Sequence, residues 1–126
     1  WLKLKCAHGQ ELVIGGWTAP RGSRERLGAL LVGYYEHGKL RYAGKVGTGF
    51  DRQTLHRLGD ELERRERQTS PFEAGGPPRD ARWAEPELVA EIGFAEWTRD
   101  GKLRQPRYLG LRDDKPAREV VRERPS

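Results

Sequence analysis

Apolar and polar residues alternate in five stretches of the chain, a period that is typical of β-strands with one buried face. In the first stretch, Leu12 and Ile14 point one way while Val13 and Trp17 point the other. The five predicted strands are Glu11–Trp17, Ala29–Tyr35, Leu40–Val46, Leu88–Trp97 and Leu103–Leu111.

Turn residues separate these strands. Residues 36–39, Glu-His-Gly-Lys, predict a tight turn, so the second and third strands form a hairpin. In its second strand, one face carries Leu40, Tyr42 and Val46, and the other carries Arg41, Ala43 and Lys45. Asp100 and Gly101 form the turn before the last strand, and Pro106 indicates an exposed edge or a bulge there.

One segment has helical spacing instead. Leu55, Leu58 and Leu62 recur on one helical face, Asp51 can cap the N-terminus, and the charged run 61–68 predicts a solvated face. Residues 69–82, rich in proline and glycine, predict a surface loop. Three strands, a helix and two strands give the order of an all-β, five-stranded OB-fold Greek-key barrel. A small SH3-like barrel is the competitor, and the helix between strands 3 and 4 favours the OB-fold.

Length and composition narrow the classes of protein. The chain has 126 residues, which suits one domain, and 24 Lys and Arg against 19 Asp and Glu give a net charge of +5, which suits a polyanionic partner. Cys6 is the only cysteine, so no internal disulfide forms, and a reducing compartment is expected. No membrane span or signal peptide is indicated. Methionine is absent, and we expect residue 1 to be internal to a longer protein.

Several basic segments are candidate phosphate contacts. Lys3 and Lys5 project from the same face of a strand, which is either an ordinary polar face or a site for an anion. Residues 44–49, Gly-Lys-Val-Gly-Thr-Gly, match neither the dinucleotide nor the Walker pattern. These glycines either let the strand turn into the helix or bring backbone near Thr48 to a nucleic-acid phosphate. The loop with Arg21, Arg24 and Arg26 is either solvated or an oligonucleotide contact.

Metal and nucleophile constellations are not evident in the sequence. His8, His37 and His56 lack metal-ligand spacing and are expected at surfaces or turns, so no metal site is predicted. Glu91 and Glu96 are five apart and would face opposite sides of a strand. What stands out is the run 112–115, Arg-Asp-Asp-Lys, directly after the last apolar strand. Taken alone, it is either a charged strand end or a polyphosphate contact.

Read together, residues 1–5 (Trp-Leu-Lys-Leu-Lys) and 112–115 resemble motifs V and VI of the ATP-dependent DNA ligases. Residues 28–35, 42–50, 94–101 and 103–119 are similar to the C-terminal OB domain of the bacterial ligases of the ligase D type, which act in non-homologous end joining. The likeness covers essentially the whole chain. It implies that residues 1–6 end an adenylation domain and that residues 7–126 form the OB domain with motif VI and a short tail.

The resemblance implies a role for each matching residue. Lys3 and Lys5 match cations that touch the α phosphate of ATP, and Arg112 and Lys115 match cations that bind the β and γ phosphates. Asp114 matches the acidic position that orients them, although Asp113 is the alternative. The catalytic set implied is therefore Arg112, Asp114 and Lys115.

The family's nucleophile motif, Lys-x-Asp-Gly, is absent, as are the carboxylates that hold Mg²⁺ in the adenylation domain. ATP and Mg²⁺ would thus be bound mainly by that other domain, and the chain alone is expected to be inactive. The family also implies that the OB domain turns to bind nicked duplex DNA. The DNA contacts expected are Arg21, Arg24, Arg26, Arg41, Lys45 and Thr48.

Two further functions remain open at the level of sequence. A stand-alone OB-fold for single strands would need stacking aromatics, for which Tyr34, Tyr35 and Tyr42 are the candidates, although core positions suit them better. An interaction domain that docks a repair protein such as Ku is compatible with the ligase reading. A bacterial ligase would act in the cytoplasm, in association with the nucleoid.

Overall fold

The computed structural model describes residues 8–18, 28–77, 81–99, 101–112 and 120. Within them lie one helix and eight strands. Their bounds are β1 His8–Thr18, β2 Ala29–Glu36, β3 Lys39–Val46, α1 Arg52–Arg64, β4 Glu66–Arg67, β5 Arg82–Phe94, β6 Glu96–Trp97, β7 Leu103–Arg104 and β8 Arg107–Arg112.

The five longer strands form an antiparallel barrel, and β1 is the middle strand of its sheet. β1 pairs with β2 on one side and β5 on the other, β2 continues to β3, and β5 continues to β8. The ring closes where the chain leaves β3, since the Tyr108 N–H of β8 donates to the Thr48 carbonyl at 2.9 Å. With α1 between the third and fourth barrel strands, this confirms the predicted OB-fold.

β1 is buried on both faces, where the alternation predicted a half-buried strand. Leu12, Val13 and Ile14 are all fully buried. The reason lies in the segment predicted as a surface loop: Phe72 is 7% exposed and covers β1 at Gly15, where the register shifts. The Phe72 ring also packs edge-on against Tyr42, with centroids 5.4 Å apart. The prediction that residues 69–82 run over the surface is therefore wrong at Phe72.

Helix α1 begins as predicted and ends earlier. The Asp51 carboxylate accepts the Thr54 N–H at 2.7 Å, and this cap lowers the pKa of Asp51. Leu58 and Leu62 are fully buried. The charged run does not continue the helix beyond Arg64, because Glu66–Arg67 leaves it and pairs with β5 as β4.

The last two predicted strands are rearranged. The fourth begins at Arg82 and ends at Phe94, and residues 96–97 and 103–104 form a separate small hairpin, β6–β7. The fifth is interrupted near Pro106, in line with the predicted irregularity, and Leu109 lies at a register shift with 49% of its surface exposed. A third shift, opposite Val32 and Gly33, occurs at Ala43, which is fully buried. Because of this extra residue, Arg41 and Lys45 point to opposite faces, so the prediction that they share a face is wrong.

One residue of the C-terminal tail belongs to the core. Val120 is fully buried, and its carbonyl accepts the Tyr35 N–H of β2 at 2.7 Å. The barrel therefore includes a residue eight positions beyond the end of β8.

Candidate phosphate and DNA site

Arg112 ends β8 and is held by two carboxylates. Its Nη1 donates to Glu91 Oε1 at 3.2 Å, and its Nη2 lies 3.5 Å from Glu11 Oε2. The side chain is 38% exposed, so the guanidinium is anchored on the barrel and still accessible to solvent. Arg112, which the sequence predicted at a strand end, therefore lies at the end of a paired strand.

The carboxylates come from the neighbouring strands. Glu11 of β1 and Glu91 of β5 are directly opposite each other in the antiparallel register, and Arg112 comes from β8 on the far side of β5. Like charges that face each other across two strands repel. The guanidinium offsets this repulsion, which gives the arrangement a physical reason. Sequence reasoning missed Glu11, because only the strand register shows that it meets Glu91.

A groove of about 460 Å³ lies between α1 and β8, beside Arg112. Its lining includes Arg57, Arg65 and the exposed face near Leu109. Arg65 is engaged by Glu61 at 2.7 Å and by Glu87 at 3.0 Å, and the hydrogen bond to Glu61 raises the pKa of Arg65. The same bond lowers the pKa of Glu61, so this pair stays charged.

Three of the predicted DNA contacts can be placed. Arg41 lies on β3, half-buried, with its Nη1 4.0 Å from Glu36 Oε1, and Lys45 is exposed on the same strand. Thr48 is exposed, and its carbonyl is used for barrel closure. Lys45 thus lies near the end of β3, and Thr48 lies just beyond it, against β8, the strand that ends in Arg112.

The β6–β7 hairpin adds cations that the sequence did not single out. Lys102 Nζ lies 5.8 Å from the centre of the Tyr42 ring on β3, and Leu103 packs near Gly44. Trp97 anchors the hairpin on β2, because its ring packs edge-on against Tyr34 with the ring centroids 5.5 Å apart. In OB-folds the connection between strands 4 and 5 flanks the binding face. In the sequence, the basic residues around the turn at Gly101 could have indicated this site; they are Arg99, Lys102 and Arg104.

Of the three tyrosines considered for base stacking, Tyr34 and Tyr42 are core residues, whereas Tyr35 is partly buried. Tyr34 is 1% exposed and Tyr42 is 8% exposed, so neither offers an open ring face of the kind that single-strand binding uses. His37 lies in the β2–β3 turn and His56 on the exposed side of α1, as expected. The remaining predicted site residues lie outside the described part of the chain: Lys3, Lys5, Arg21, Arg24, Arg26, Asp113, Asp114 and Lys115.

The described residues do not suit a bound metal. Among them, no group of three or more His, Cys, Asp or Glu side chains comes together to form a metal site. The two carboxylates that do meet, Glu11 and Glu91, face a guanidinium. Nor is any helix in these ranges long and apolar enough to cross a membrane.

Residues 23–115 match the family model described as the ATP-dependent DNA ligase C-terminal region. The match spans well over half of the chain, so the chain belongs to this family.

Similar proteins agree. The chain is 46% identical to the multifunctional non-homologous end joining protein LigD of Pseudomonas aeruginosa, over 100% of the chain and 16% of that protein. It is 45% identical to the LigD of Mycobacterium tuberculosis, over 98% of the chain and 17% of that protein. The chain thus spans about a sixth of the length of these relatives.

Solved structures show the same fold. The crystal structure of the ligase domain of M. tuberculosis LigD matches with a TM-score of 0.85 and 44% identity, over 93% of this chain and 39% of that one. A mycobacterial DNA ligase D complexed with ATP and MES matches with a TM-score of 0.82 and 41% identity, over 94% of this chain and 39% of that one.

Proposed function

We propose that this chain is the OB domain of an ATP-dependent DNA ligase of the end-joining type, and that it supplies Arg112 to the β and γ phosphates of ATP during lysine adenylation. The observation that carries the proposal is the guanidinium at the end of β8, held by Glu91 and Glu11 and 38% exposed, on a barrel of the ligase C-terminal family. A guanidinium can bind two phosphate oxygens at once.

The chemistry proposed is the transfer of AMP to a lysine. The neutral lysine nitrogen attacks the α phosphorus, the new P–N bond forms as the nitrogen gives up a proton to solvent, and the bond from the α phosphorus to the bridging oxygen breaks. The electron pair leaves with pyrophosphate. Arg112 and Lys115 would stabilise the charge that develops on this leaving group, with Asp114 orienting them, and Lys3 and Lys5 would contact the α phosphate.

The attacking lysine would belong to an adenylation domain in the same protein, of which residues 1–6 form the end and after which residues 7–126 form the OB domain. Magnesium would be held by that domain, because the carboxylates that hold it in the family are absent from this sequence. No step of the proposal passes through the metal in this chain.

A second role is binding of nicked or broken duplex DNA. The exposed Lys45 and Thr48 at the end of β3 support this role, and Lys102 lies beside Tyr42, on the same face of the sheet as Lys45. Arg41 points to the opposite face, beside Glu36, and would contact DNA separately from these residues. The loop with Arg21, Arg24 and Arg26 would add phosphate contacts. The setting proposed is the bacterial cytoplasm in association with the nucleoid, with Ku as a protein partner.

The experiment is the exchange Arg112→Ala in the full-length protein. We expect self-adenylation with ATP to fall while the sealing of pre-adenylated nicks is retained, because only the first reaction has pyrophosphate as leaving group. Arg82→Ala is the matched control, since Arg82 is a strand arginine with one carboxylate partner, Glu66, at 3.3 Å. Unchanged adenylation in the Arg112 variant would reject the role.

A further inference from the structure

Glu11, Glu91 and Arg112 form a cluster from three strands. We name its two carboxylates the carboxylate fork. Glu11 and Glu91 are paired across β1 and β5, and Arg112 reaches both carboxylates from β8. Each terminal nitrogen of the guanidinium faces a different carboxylate, Nη1 toward Glu91 and Nη2 toward Glu11. Two contacts at different atoms fix the plane of the guanidinium as well as its position.

The fork contributes little net folding stability, because the repulsion between the carboxylates takes up much of their attraction to Arg112. Partly exposed ion pairs contribute little to folding, and two carboxylates in direct cross-strand register repel each other. The side chain of Glu11 is 19% exposed and that of Glu91 is 39% exposed, so the cluster lies at the surface of the barrel. A fork at this place restricts an arginine that otherwise has many rotamers.

Another ion pair of β5 can be compared with the fork. Glu85 pairs with Arg67 at 3.4 Å, and that arginine lies on the two-residue strand β4. There, one carboxylate meets one arginine. Arg65 also meets two carboxylates, Glu61 of α1 and Glu87 of β5, but it lies just beyond the helix. At Arg112 both carboxylates come from barrel strands, and the arginine itself ends one.

We infer that Glu11 and Glu91 are positioning residues, which hold the guanidinium of Arg112 in the orientation that receives the β and γ phosphates of ATP. This inference rests on the proposed function. A guanidinium has five N–H donors, so contacts to the fork and to phosphate oxygens are compatible. Glu91 is the main contact, because its hydrogen bond of 3.2 Å is shorter than the 3.5 Å approach of Glu11.

The test uses the full-length protein and measures self-adenylation across a range of ATP concentrations. For Glu91→Ala we expect the KM for ATP to rise about fivefold, equivalent to ~1 kcal/mol, with a smaller change in kcat. Glu91→Gln keeps an acceptor oxygen and should recover part of this loss. Sealing of pre-adenylated nicks should not change. Glu85→Ala, which removes an ion pair from the same strand, should leave adenylation as it is.

The combined variant shows whether Glu91 acts through Arg112. In the Arg112→Ala background, Glu91→Ala should have no further effect on the KM for ATP. A further loss there, a parallel loss of nick sealing, or a normal KM in the single variant would overturn the inference. If Arg112→Ala itself adenylates normally, the proposed function fails. If it is defective while Glu91→Ala is normal, only the inference fails.

Discussion

Gly49 is the residue at which barrel closure can be tested directly. It follows Thr48, whose carbonyl accepts the Tyr108 N–H, and it has a φ of +95°. A Cβ at this position would press on the Tyr108 carbonyl oxygen and lie 2.8 Å from its amide nitrogen. Glycine is therefore required twice, for the backbone angle and for the close approach of β8.

The free-energy cost of Gly49→Ala has two parts, the strained backbone angle and the loss of the closing hydrogen bond when β8 is pushed away. A positive φ outside the regions open to side chains costs about 1–3 kcal/mol, and loss of the closing hydrogen bond adds about 1 kcal/mol. We expect a free energy of unfolding lower by about 3 kcal/mol in total. In a domain of this size, that corresponds to a fall in Tm of roughly 10 °C.

Two other glycines separate the terms. Gly38 has a φ of +79° and nothing within 4 Å of an added Cβ, so Gly38→Ala carries the backbone cost alone, about 1 kcal/mol. At Gly47 the nearest contact would be 3.7 Å, and no positive φ applies, so Gly47→Ala should be nearly neutral.

The assay is urea unfolding of the three variants, with circular dichroism as the signal. The expected order of destabilisation is Gly49, then Gly38, then Gly47. In the full-length protein, Gly49→Ala should also weaken adenylation, because β8 carries Arg112. A Gly49 variant no less stable than the Gly38 variant would refute the idea that close packing on Tyr108 closes the barrel.

Three further outcomes are expected. Leu62→Ala should lower the free energy of unfolding by about 3 kcal/mol in urea titrations, since Leu62 is fully buried, and a loss below about 1 kcal/mol would contradict its core position. Asp51→Ala should lower Tm at neutral pH, and the difference should vanish as the pH falls through the depressed folded-state pKa of Asp51, because the cap to Thr54 needs the carboxylate. A constant difference at all pH values would rule out the cap. Duplex DNA affinity should fall with salt, and Lys102→Ala should reduce the magnitude of the log-log slope by about 0.9, whereas an unchanged slope would remove Lys102 from the DNA side.

The periodic pattern predicted the barrel because hairpins are local. Strands β2 and β3 follow from alternation and from the turn at His37 and Gly38, and α1 follows from its leucine spacing and the Asp51 cap. The early end of α1 and the burial of Phe72 were not predictable in this way. Both depend on pairing with β5 and packing on β1, which no local pattern contains.

The residues of the candidate site differ in the same way, since some follow from the local sequence and others only from the fold. Arg112 could be proposed from the sequence, because it follows an apolar strand and matches a motif of the family that the chain resembles. Glu11 could not, since it lies about a hundred residues away and meets Arg112 only through the register of three strands. Lys102 follows the predicted turn at Asp100 and Gly101, and its approach to Tyr42 depends on how the β6–β7 hairpin packs.

Val120 bears on how the domain can be cut and joined. Its side chain is fully buried and its carbonyl binds the Tyr35 N–H, so the folded unit extends past the charged motif that follows β8. A truncation before residue 120 would expose part of the core, and a fusion partner would be better attached after it. Residues 112 and 120 are both fixed to the same barrel, so a domain cut for expression or joining should keep the whole chain between them.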